Sequence, residues 1–593
     1  MAVENLITEH IDIWTSAVNT KSTSGRGSSK KLELCGVKKL RELILELAVR
    51  GKLVPQDPND EPAAVLLERI ALEKAQLVKE KKIKKPKTLQ TLSPESLPRI
   101  PESWTWSYMQ DITEYVQRGK GPKYAEEGSV RVISQKCVQN SGFDIEPARY
   151  IEEESLEKYQ DERFLRENDL LWNSTGTGTV GRVNVLPSIK QKSLVADSHV
   201  TVVRPLIMNS RYIWCILMAP GVQARIDPFH EQSLVSGSTK QVELNTSSVV
   251  TLPIPVAPIA EQDRIVAKVD ELMELCDQLE QQTETSIEAH QVLVTTLLDT
   301  LTNSADADEL MQNWARISEH FDTLFTTEES IDQLKQTILQ LAVMGKLVPQ
   351  DPSDEPAAEL LKRIAEEKAQ LVKEKKIKKQ KALPPIAEDE KPFELPNGWG
   401  FAHMQDLCEL ITDGTHQTPK YTDTGRPFIS AQCVKPFRFM PENCRYVSEE
   451  HYQAYIKNRN PEFRDILLSR VGAGIGEAAM IDTDLEFAIY VSTGLLKPHK
   501  SSVMSEYLVL WLNSPLGRGF SERNTLGKGV SQGNLNLSLI RAFTVSLPPL
   551  QEQKRIIEQV NKLSDLCDLL KERLQSVQLT QLSLTDVIAE QAV

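Results

Sequence analysis

The chain has 593 residues and a mass of 66.7 kDa, which is enough for about four domains of ordinary size. Hydrophobic residues make up 40% and charged residues 26% of the chain, a composition that excludes a disordered or fibrous protein. The formal net charge of −14 excludes a chain that is basic throughout, so any nucleic-acid binding would need a local cationic surface or charge supplied by a partner.

Neither a membrane segment nor a secretory leader is evident in the sequence. The longest apolar run, at 211–222, is interrupted by Pro220 and falls short of the roughly 20 residues that a membrane helix needs. The N-terminal MAVENLITEH has neither the basic nor the apolar region of a signal peptide. The eight cysteines form no CxxC pair and lie at no zinc-finger spacing from a histidine. We therefore expect a cytoplasmic protein with reduced thiols and no metal.

The most informative feature of the sequence is an internal repeat. The block 40–85 matches the block 334–379 at 37 of 46 positions, and both blocks contain GKLVPQDP. A second pair, 258–280 and 549–571, shares an EQxRI motif. Self-similarity at this spacing predicts two copies of one structural arrangement.

Each repeated block is predicted to form two helices. In the first copy, the first helix ends at Gly51, a residue typical of a C-terminal cap. The PQDP run then breaks the chain, and Asp60 is expected to cap the second helix. That helix runs to a lysine-rich end, KEKKIKK at 79–85. These lysines fit two interpretations, contact with DNA phosphates or a solvated helix end whose cations suit the negative end of the helix dipole.

The segments between the blocks diverge but keep a thin common skeleton. They alternate short β-like runs, such as VRVIS and FTVSL, with turns and a few helical stretches. Both contain a D-x-L strand followed by glycines, NDLLWNSTGTGTVG at 168–181 and RDILLSRVGAGIG at 464–476. One skeleton with unlike surfaces predicts two copies of one mixed α/β or α+β domain that bind different things.

The EQxRI segments are predicted to open long helices. Their apolar residues step alternately by four and three, as in a coiled-coil seam. In the second copy these residues are Ile556, Val560, Leu563, Cys567, Leu570, Leu574 and Val577. In the first copy they are Ile265, Val269, Leu272, Cys276 and Leu279, and an apolar face then resumes at Leu293, Leu297 and Leu301.

These elements predict α/β (α+β) domains in two copies, joined and spaced by long coiled-coil-like α-helices in a pseudo-two-fold tandem repeat. We expect six regions: an N-terminal helical region at 1–94, a first variable domain at 95–255, a central spacer helix at 256–302, a second helical region at 303–392, a second variable domain at 393–547, and a C-terminal spacer helix at 548–593.

Several short motifs resemble parts of catalytic or cofactor sites, but the sequence around them does not fit such sites. Gly176, Gly178 and Gly181 match the dinucleotide-binding pattern, but another strand follows them where that site needs a helix, so a tight turn between strands is expected. The EKK run at 80–82 resembles nuclease ligands, yet it lies in a charged helix. The sequence contains no phosphate-binding GxxxxGK[ST] motif and no amino-methyltransferase motif. We therefore expect no catalytic chemistry in this chain.

Two unlike domains separated by near-identical helical blocks resemble the specificity (S) subunit of type I restriction-modification systems. The resemblance covers essentially the whole chain. It rests on the duplicated GKLVPQDP blocks, the AEQDRI and QEQKRI helix starts, and the glycine turns that follow NDLL and RDIL. The early GKLVPQDP block resembles the subclass with conserved regions at both the N-terminus and the middle.

The resemblance implies two target-recognition domains, each reading one half of a bipartite, asymmetric site in double-stranded DNA. The helices would set the spacing and dock two modification (M) subunits, which bind S-adenosylmethionine and methylate adenine at N6. Two restriction (R) subunits would add ATP-driven translocation and cleavage. The chain itself would be non-catalytic and hold no cofactor, with S-adenosylmethionine, ATP and Mg expected on its partners, and it would have no membrane contact.

Polar residues in the turns of the two domains are the candidates for DNA contact. Arg and Lys can pair with guanine, and Gln and Asn with adenine, at the major-groove edge. The alternatives for each residue are a phosphate contact or an ordinary surface position, and the serine-rich stretches also fit helix N-caps. The candidates are Lys120, Lys123, Gln135, Lys136, Ser174, Thr175, Thr177, Arg182, Ser238, Lys240 and Gln241 in the first domain, and His416, Gln417, Lys420, Gln432, Lys435, Arg470, Lys528, Ser531, Gln532 and Asn534 in the second.

Two other classes of function compete with this interpretation. A coiled-coil scaffold that assembles other proteins and never touches DNA would explain the helical blocks. It would not explain why two unlike domains are mounted on a repeated frame. A fused methyltransferase or nuclease would need the motifs that the sequence lacks.

Overall fold

The computed structural model describes residues 7–593 except 23–29, 94–96, 158, 177, 239–240, 306, 418, 458 and 527–532. The chain forms two compact units. Unit 1 comprises Met1–Ser286 with Val577–Val593, and unit 2 comprises Ile287–Ser576. Each unit holds one repeated block, one variable domain, the first part of the long helix that follows that domain, and the last part of the other long helix. Within the described residues, no helix is long and apolar enough to cross a membrane.

Helices form the frame of each unit. In unit 1 they are Ile11–Ser16, Cys35–Val49, Ala63–Lys79, the start of Ile259–Asn303 and the end of Leu550–Ala592, with a hairpin of Asn19–Ser22 and Lys30–Glu33. In unit 2 they are the end of that long helix, Ala307–Glu319, Phe321–Leu324, Glu328–Val343, Ala357–Lys373 and the start of Leu550–Ala592. The long helices begin directly after Pro258 and Pro549, whose carbonyls accept hydrogen bonds from Gln262 and Gln553.

The predicted cap at Gly51 is confirmed. Gly51 has a φ of +68°, Gly345 has a φ of +72°, and the amide of Lys52 donates to the carbonyl of Leu47 at 2.9 Å, as in a Schellman cap. A β-carbon at Gly51 would lie 2.5 Å from the ring of Pro101, so the lack of a side chain at Gly51 also leaves room for this residue at the start of the variable domain.

The predicted cap at Asp60 is wrong. The helix begins at Ala63 with Pro62 before it, and no side chain caps it, because Asp60 lies too far ahead of the first helical turn. The amide of Ala63 instead donates to the carbonyl of Ser103 at 2.9 Å. The helix also ends at Lys79, where the lysine run begins, so most of that run lies beyond it.

The first variable domain contains two four-stranded sheets. The first has the strand order Val183–Val185, Leu170–Asn173, Val200–Pro205, Thr113–Arg118, and the second has the order Leu194–Ala196, Arg131–Ile133, Arg149–Ile151, Tyr124–Ala125. Smaller pairs join Thr105–Tyr108 to Pro253–Val256, Val138–Gln139 to Gly142–Phe143, and Val235–Ser238 to Gln241–Leu244. Its helices include Glu153–Leu156, Ser210–Met218, Pro220–Gln223 and Thr246–Val250.

The second variable domain repeats this topology. Its sheets have the orders Cys408–Asp413, Thr493–Pro498, Ile466–Ser469, Ala478–Met480 and Arg445–Val447, Arg426–Ile429, Ala488–Ile489. Smaller pairs join Gly400–His403 to Thr544–Leu547, Val434–Lys435 to Arg438–Phe439, and Thr525–Leu526 to Asn534–Leu535. Its helices include Met404–Leu407, Glu449–Ile456, Ser505–Asn513, Pro515–Arg523 and Leu537–Arg541.

The aspartate of the D-x-L motif is the anchor of a buried ion pair. Asp169 is fully buried, and its two carboxylate oxygens accept hydrogen bonds of 2.7 Å from Nε and Nη2 of Arg204. In the second domain, Asp465 is equally buried and lies 3.1 Å from the ammonium of Lys497. The motif therefore fixes one strand of the main sheet to its neighbour.

The predicted seams of the long helices are confirmed in part. All five residues from Ile265 to Leu279 are buried, and so are Ile556, Val560 and Cys567. The seam ends before Val577, which is 52% exposed. The apolar face predicted at Leu293, Leu297 and Leu301 is confirmed in part: Leu301 is buried and Leu297 packs against the same core, whereas Leu293 is 50% exposed and its neighbour Val294 is buried instead. This part of the helix packs in the core of unit 2.

Candidate nucleic-acid interface

The EQxRI motif joins each variable domain to its frame. Glu261 is buried, and its carboxylate accepts hydrogen bonds from the indole of Trp104 at 3.0 Å and from the amide of Gln56. Burial raises the pKa of the Glu261 carboxyl above its ordinary value. Arg264 completes the joint with a 2.5 Å ion pair to Asp60, the residue that the sequence had suggested as a helix cap.

The glutamine of the motif reaches into the variable domain. Gln262 is fully buried, donates to the carbonyl of Ala257 at 2.8 Å, and accepts a hydrogen bond from the amide of Asn209 at 3.0 Å. Unit 2 repeats the arrangement: Gln553 accepts from the amide of Met504 at 2.9 Å, and Arg555 pairs with Asp354 at 2.6 Å. The motif is therefore structural, and it holds each domain in a fixed orientation on the start of its helix.

Strand directions bring several loops of the first domain to one edge. Strands Thr113–Arg118 and Leu170–Asn173 both run antiparallel to Val200–Pro205, with Arg118 opposite Thr201 and Asn173 opposite Val200. Strand Arg131–Ile133 runs parallel to Leu194–Ala196 and ends beside it. The loops that continue these strands define the first loop edge, which comprises the described residues 119–121, 134–139, 174–176, 178–182 and 197–199 with 235–238 and 241–244 of the adjoining hairpin.

Hydrogen bonds fix the backbone of the first loop edge. The amide of Ser174 donates to the carbonyl of His199 at 2.8 Å, and the amide of Leu244 donates to the carbonyl of Ser174 at 2.7 Å. Gly119 is required by close packing, because a β-carbon there would lie 2.1 Å from the carbonyl oxygen of Asp197. Burial raises the pKa of the Asp197 carboxyl, which accepts a hydrogen bond from the amide of His199. The predicted tight turn between strands is confirmed.

The candidates of the first domain fall into three groups. Lys120, Lys123, Lys136 and Ser238 are exposed, whereas Gln135, Thr175 and Arg182 are half-buried. Ser174 is fully buried and its hydroxyl bonds to that of Thr201, so we leave it out of the proposed contact set. Ser238 lies in a strand, so the helix-cap alternative for 236–238 is wrong. Thr177, Lys240 and the side chain of Gln241 lie outside the described part of the chain.

The second domain forms an equivalent edge. Asp413 lies opposite Gly494, Ser469 lies opposite Thr493, and Ile429 runs parallel to Ile489. The second loop edge comprises residues 414–417, 430–435, 470–476 and 490–492, together with Asn534. Gly414 repeats the role of Gly119, since a β-carbon there would lie 2.1 Å from a carbonyl oxygen.

Most described candidates of the second domain are exposed. They are His416, Gln417, Lys420, Gln432, Lys435 and Asn534. Arg470 is the exception: it is buried, its Nη1 forms an ion pair with Asp413, and its Nε donates to the carbonyl of Leu535 at 2.9 Å. Its guanidinium therefore supports the edge, and we remove it from the proposed contact set. Lys528, Ser531 and Gln532 lie outside the described residues.

The two edges carry opposite charges at equivalent positions. In the first, Arg182 donates to the side-chain oxygen of Gln139, and in the second the same two positions hold Glu477 and Lys435, 3.5 Å apart. The last residue of the equivalent strand also differs: it is Arg118, paired with Glu243, in one domain and the buried Asp413, paired with Arg470, in the other. The backbone scaffold is thus shared while the groups that it presents differ.

Sequence reasoning missed a pair of stacked arginines. The guanidinium of Arg149 lies 4.0 Å from the ring centroid of Tyr124, and that of Arg445 lies 4.6 Å from the centroid of Tyr421. A signal was available, because PKY and RY occur in both domains, at 122–124 with 149–150 and at 419–421 with 445–446.

In the part of the chain that the structure describes, no group of three His, Cys, Asp or Glu side chains could hold a metal ion.

A family model described as the type I restriction modification DNA specificity domain matches residues 101–289 and 396–579. The chain therefore belongs to the type I restriction-modification specificity family. The resemblance drawn from the repeated motifs is confirmed.

Two relatives of this specificity subunit match it from end to end. The specificity subunits of the type I restriction enzymes EcoEI and EcoAI, both from Escherichia coli, are each 40% identical, and each alignment covers 100% of both chains. Among solved structures, a chain from a study of complex assembly and conformational transition of a type I restriction-modification system is 16% identical. That match covers 84% of this chain and 99% of the other, with a TM-score of 0.47.

Proposed function

We propose that this specificity subunit reads a bipartite, asymmetric DNA site, with each variable domain recognising one half. The observation that carries the proposal is the pair of loop edges, which share one backbone scaffold and differ in charge at equivalent positions. A scaffold that only assembled other proteins would have no need for two such edges. Loops held by a rigid sheet are the usual place for recognition residues.

The chemistry of the exposed residues fits base reading. The first loop edge presents Lys120 and Lys136, and the second presents Lys435 together with Gln417, Gln432 and Asn534. Lysine can pair with the acceptors of guanine, and glutamine or asparagine with the donor and acceptor of adenine. The exposed amides of the second loop edge would therefore offer adenine a contact that the exposed, described candidates of the first loop edge do not. The candidates outside the described residues remain part of this proposal.

We further propose that the chain is non-catalytic and acts through partners. Two M subunits that carry S-adenosylmethionine would methylate adenine at N6, and two R subunits with ATP and Mg would cleave unmodified DNA. The near-identity of the two blocks supports two equivalent docking faces. Leu275 and Leu566, at equivalent positions of the long helices, are 37% and 46% exposed and are suited to such contacts. Light-scattering masses at saturating M should fit two M per chain; a single M at saturation would overturn this part.

Methylation mapping tests the main proposal. The chain would be expressed with its M subunit in a host without other adenine methylation, and methylated sites would be read by long-read sequencing. Replacing 393–547 by the matching segment of another family member should change one half of the motif and keep the other. A chimera that is folded and bound to M, yet changes both halves or neither, would contradict the two-domain model.

A single substitution gives a finer test. Gln432→Ala removes an exposed amide on the second loop edge and should relax one position of the second half-site. Gln453→Ala is the matched control, because Gln453 is also exposed but lies on helix Glu449–Ile456. The control should leave the motif unchanged. If substitution of each exposed candidate of this edge left the methylated motif unchanged, the scaffold alternative would be favoured.

A further inference from the structure

Two exposed patches have the same composition in both variable domains, although the surfaces of these domains otherwise diverge. The first patch consists of Lys123, Tyr124, Arg149 and Tyr150, and the equivalent second patch consists of Lys420, Tyr421, Arg445 and Tyr446. In both, the arginine begins a strand and the first tyrosine lies on the adjoining segment. We call these the first and second Lys-Tyr-Arg patches.

Each arginine is held in place by an aromatic ring and not by an acid. Arg149 stacks on Tyr124 at 4.0 Å and Arg445 on Tyr421 at 4.6 Å. Among the described residues, no carboxylate lies within ion-pair distance of either guanidinium. By contrast, the half-buried Arg426, on the strand next to Arg445, pairs with both Glu449 and Glu486. The donors of both stacked guanidinium groups are thus directed to solvent and available to an anion.

The patches adjoin the loop edges. Arg149 lies opposite Val132, one residue from the end of the strand that continues into the first loop edge. Lys123 and Tyr124 follow the 119–121 loop along the chain, separated from it by Pro122 alone. In the second domain, Arg445 lies opposite Phe428 at the corresponding place. A duplex that lies along a loop edge would therefore pass over the patch beside it.

From these observations we propose that the two Lys-Tyr-Arg patches bind phosphates of the DNA backbone in the same way in both domains. This inference rests on the proposed function. The two half-sites differ in their bases but share their phosphates, so groups kept identical in two otherwise divergent domains fit a contact that carries no sequence information. Planar guanidinium groups suit phosphate oxygens, and stacking on tyrosine fixes them beforehand.

The test uses the full-length chain in complex with M. Arg149→Gln, Arg445→Gln and the double variant would be compared with wild type for binding to a duplex with the mapped site and to a random duplex over a series of salt concentrations. Each substitution should weaken both affinities by a similar factor and make the slope of log K against log salt shallower by about 0.9 per lost phosphate contact. The methylated motif should stay unchanged.

Two further variants and two further measurements discriminate the alternatives. Arg149→Lys keeps the charge and should restore the salt slope, which excludes a folding defect as the cause. Arg426→Gln removes an arginine already paired with acids and should leave the slope unchanged. An unchanged slope in the double variant, or a change in the letters of one half-site, would overturn the proposal. If the arginine variants failed to bind M in an assay that contains no DNA, the patches would instead be assigned to a contact with M. If the wild-type complex bound the duplex with the mapped site no more tightly than the random duplex, the proposed function itself would be overturned.

Discussion

Asp169→Asn tests how much the buried ion pair of the first variable domain contributes to its stability. The substitution keeps the size of the side chain but leaves the guanidinium of Arg204, whose side chain is 7% exposed, without its main partner. Removing one member of a buried pair costs about 3–5 kcal/mol. Glu114 lies 3.5 Å from the same guanidinium and offers partial compensation, so we expect a loss of about 3 kcal/mol, at the lower end of that range.

Hydrogen exchange measures this loss locally, which matters because a chain with two units does not unfold in one step. Amides of strand Val200–Pro205 should exchange roughly 150-fold faster, the equivalent of about 3 kcal/mol. Asp161→Asn is the matched control: its 2.8 Å pair with Lys192 is exposed, with side chains 81% and 62% accessible, so a change of at most about 1 kcal/mol is expected. Equal effects of both substitutions would refute the assignment of stability to burial.

Three other changes have defined outcomes. Burial lowers the pKa of His499, so the folded second domain holds this imidazole neutral, while the unfolded chain gains a proton below about pH 6.5. The melting temperature of the second domain should therefore fall on acidification from about pH 7.5 to about pH 5.5. His499→Leu, which introduces the residue found at equivalent position 206, should reduce that fall. Arg264→Gln removes the partner of Asp60 and, because Arg264 is 36% exposed, should destabilise the joint by only about 1 kcal/mol, seen as faster amide exchange around 56–63. Inserting seven residues within 280–287 should lengthen helix Ile259–Asn303 by about 10 Å. The spacer between the half-sites should then grow by roughly three base pairs, with both half-sites unchanged. An unaltered spacer in an active variant would show that this helix does not set the distance between the half-sites.

The parts of the fold that depend on local sequence could be predicted. Gly51 caps a helix because the chain needs a left-handed residue there, and the strand Leu170–Asn173 before the glycines turns back to pair with Val183–Val185 after them. The repeat predicted two domains of one topology without any knowledge of that topology. The first two of these conclusions rest on residues that are neighbours in the sequence, and the third rests on the similarity of two distant segments.

The features that the sequence did not reveal concern partners distant in the sequence. Asp60 pairs with Arg264, and Arg470 pairs with Asp413, in each case across a separation that no local pattern reveals. Leu293 was assigned to the buried face in place of its neighbour Val294, because the residues of unit 2 that bury Val294 and Leu301 are distant in the sequence. For the candidate site, residue type identified polar turns, but burial, which removed Ser174 from the contact set, became visible only in the folded domain.

The joint between each variable domain and its frame has a thermodynamic consequence for recognition. The first and last strands of the first domain pair with each other, Thr105 opposite Val256, and only Ala257 and Pro258 separate that last strand from the helix that begins at Ile259. A domain tethered by a flexible linker would lose rotational freedom each time it settled on DNA. Here the buried Glu261 and Gln262 restrict that freedom when the chain folds, so the entropic cost of orienting the domain is met once per molecule and does not weaken each binding event.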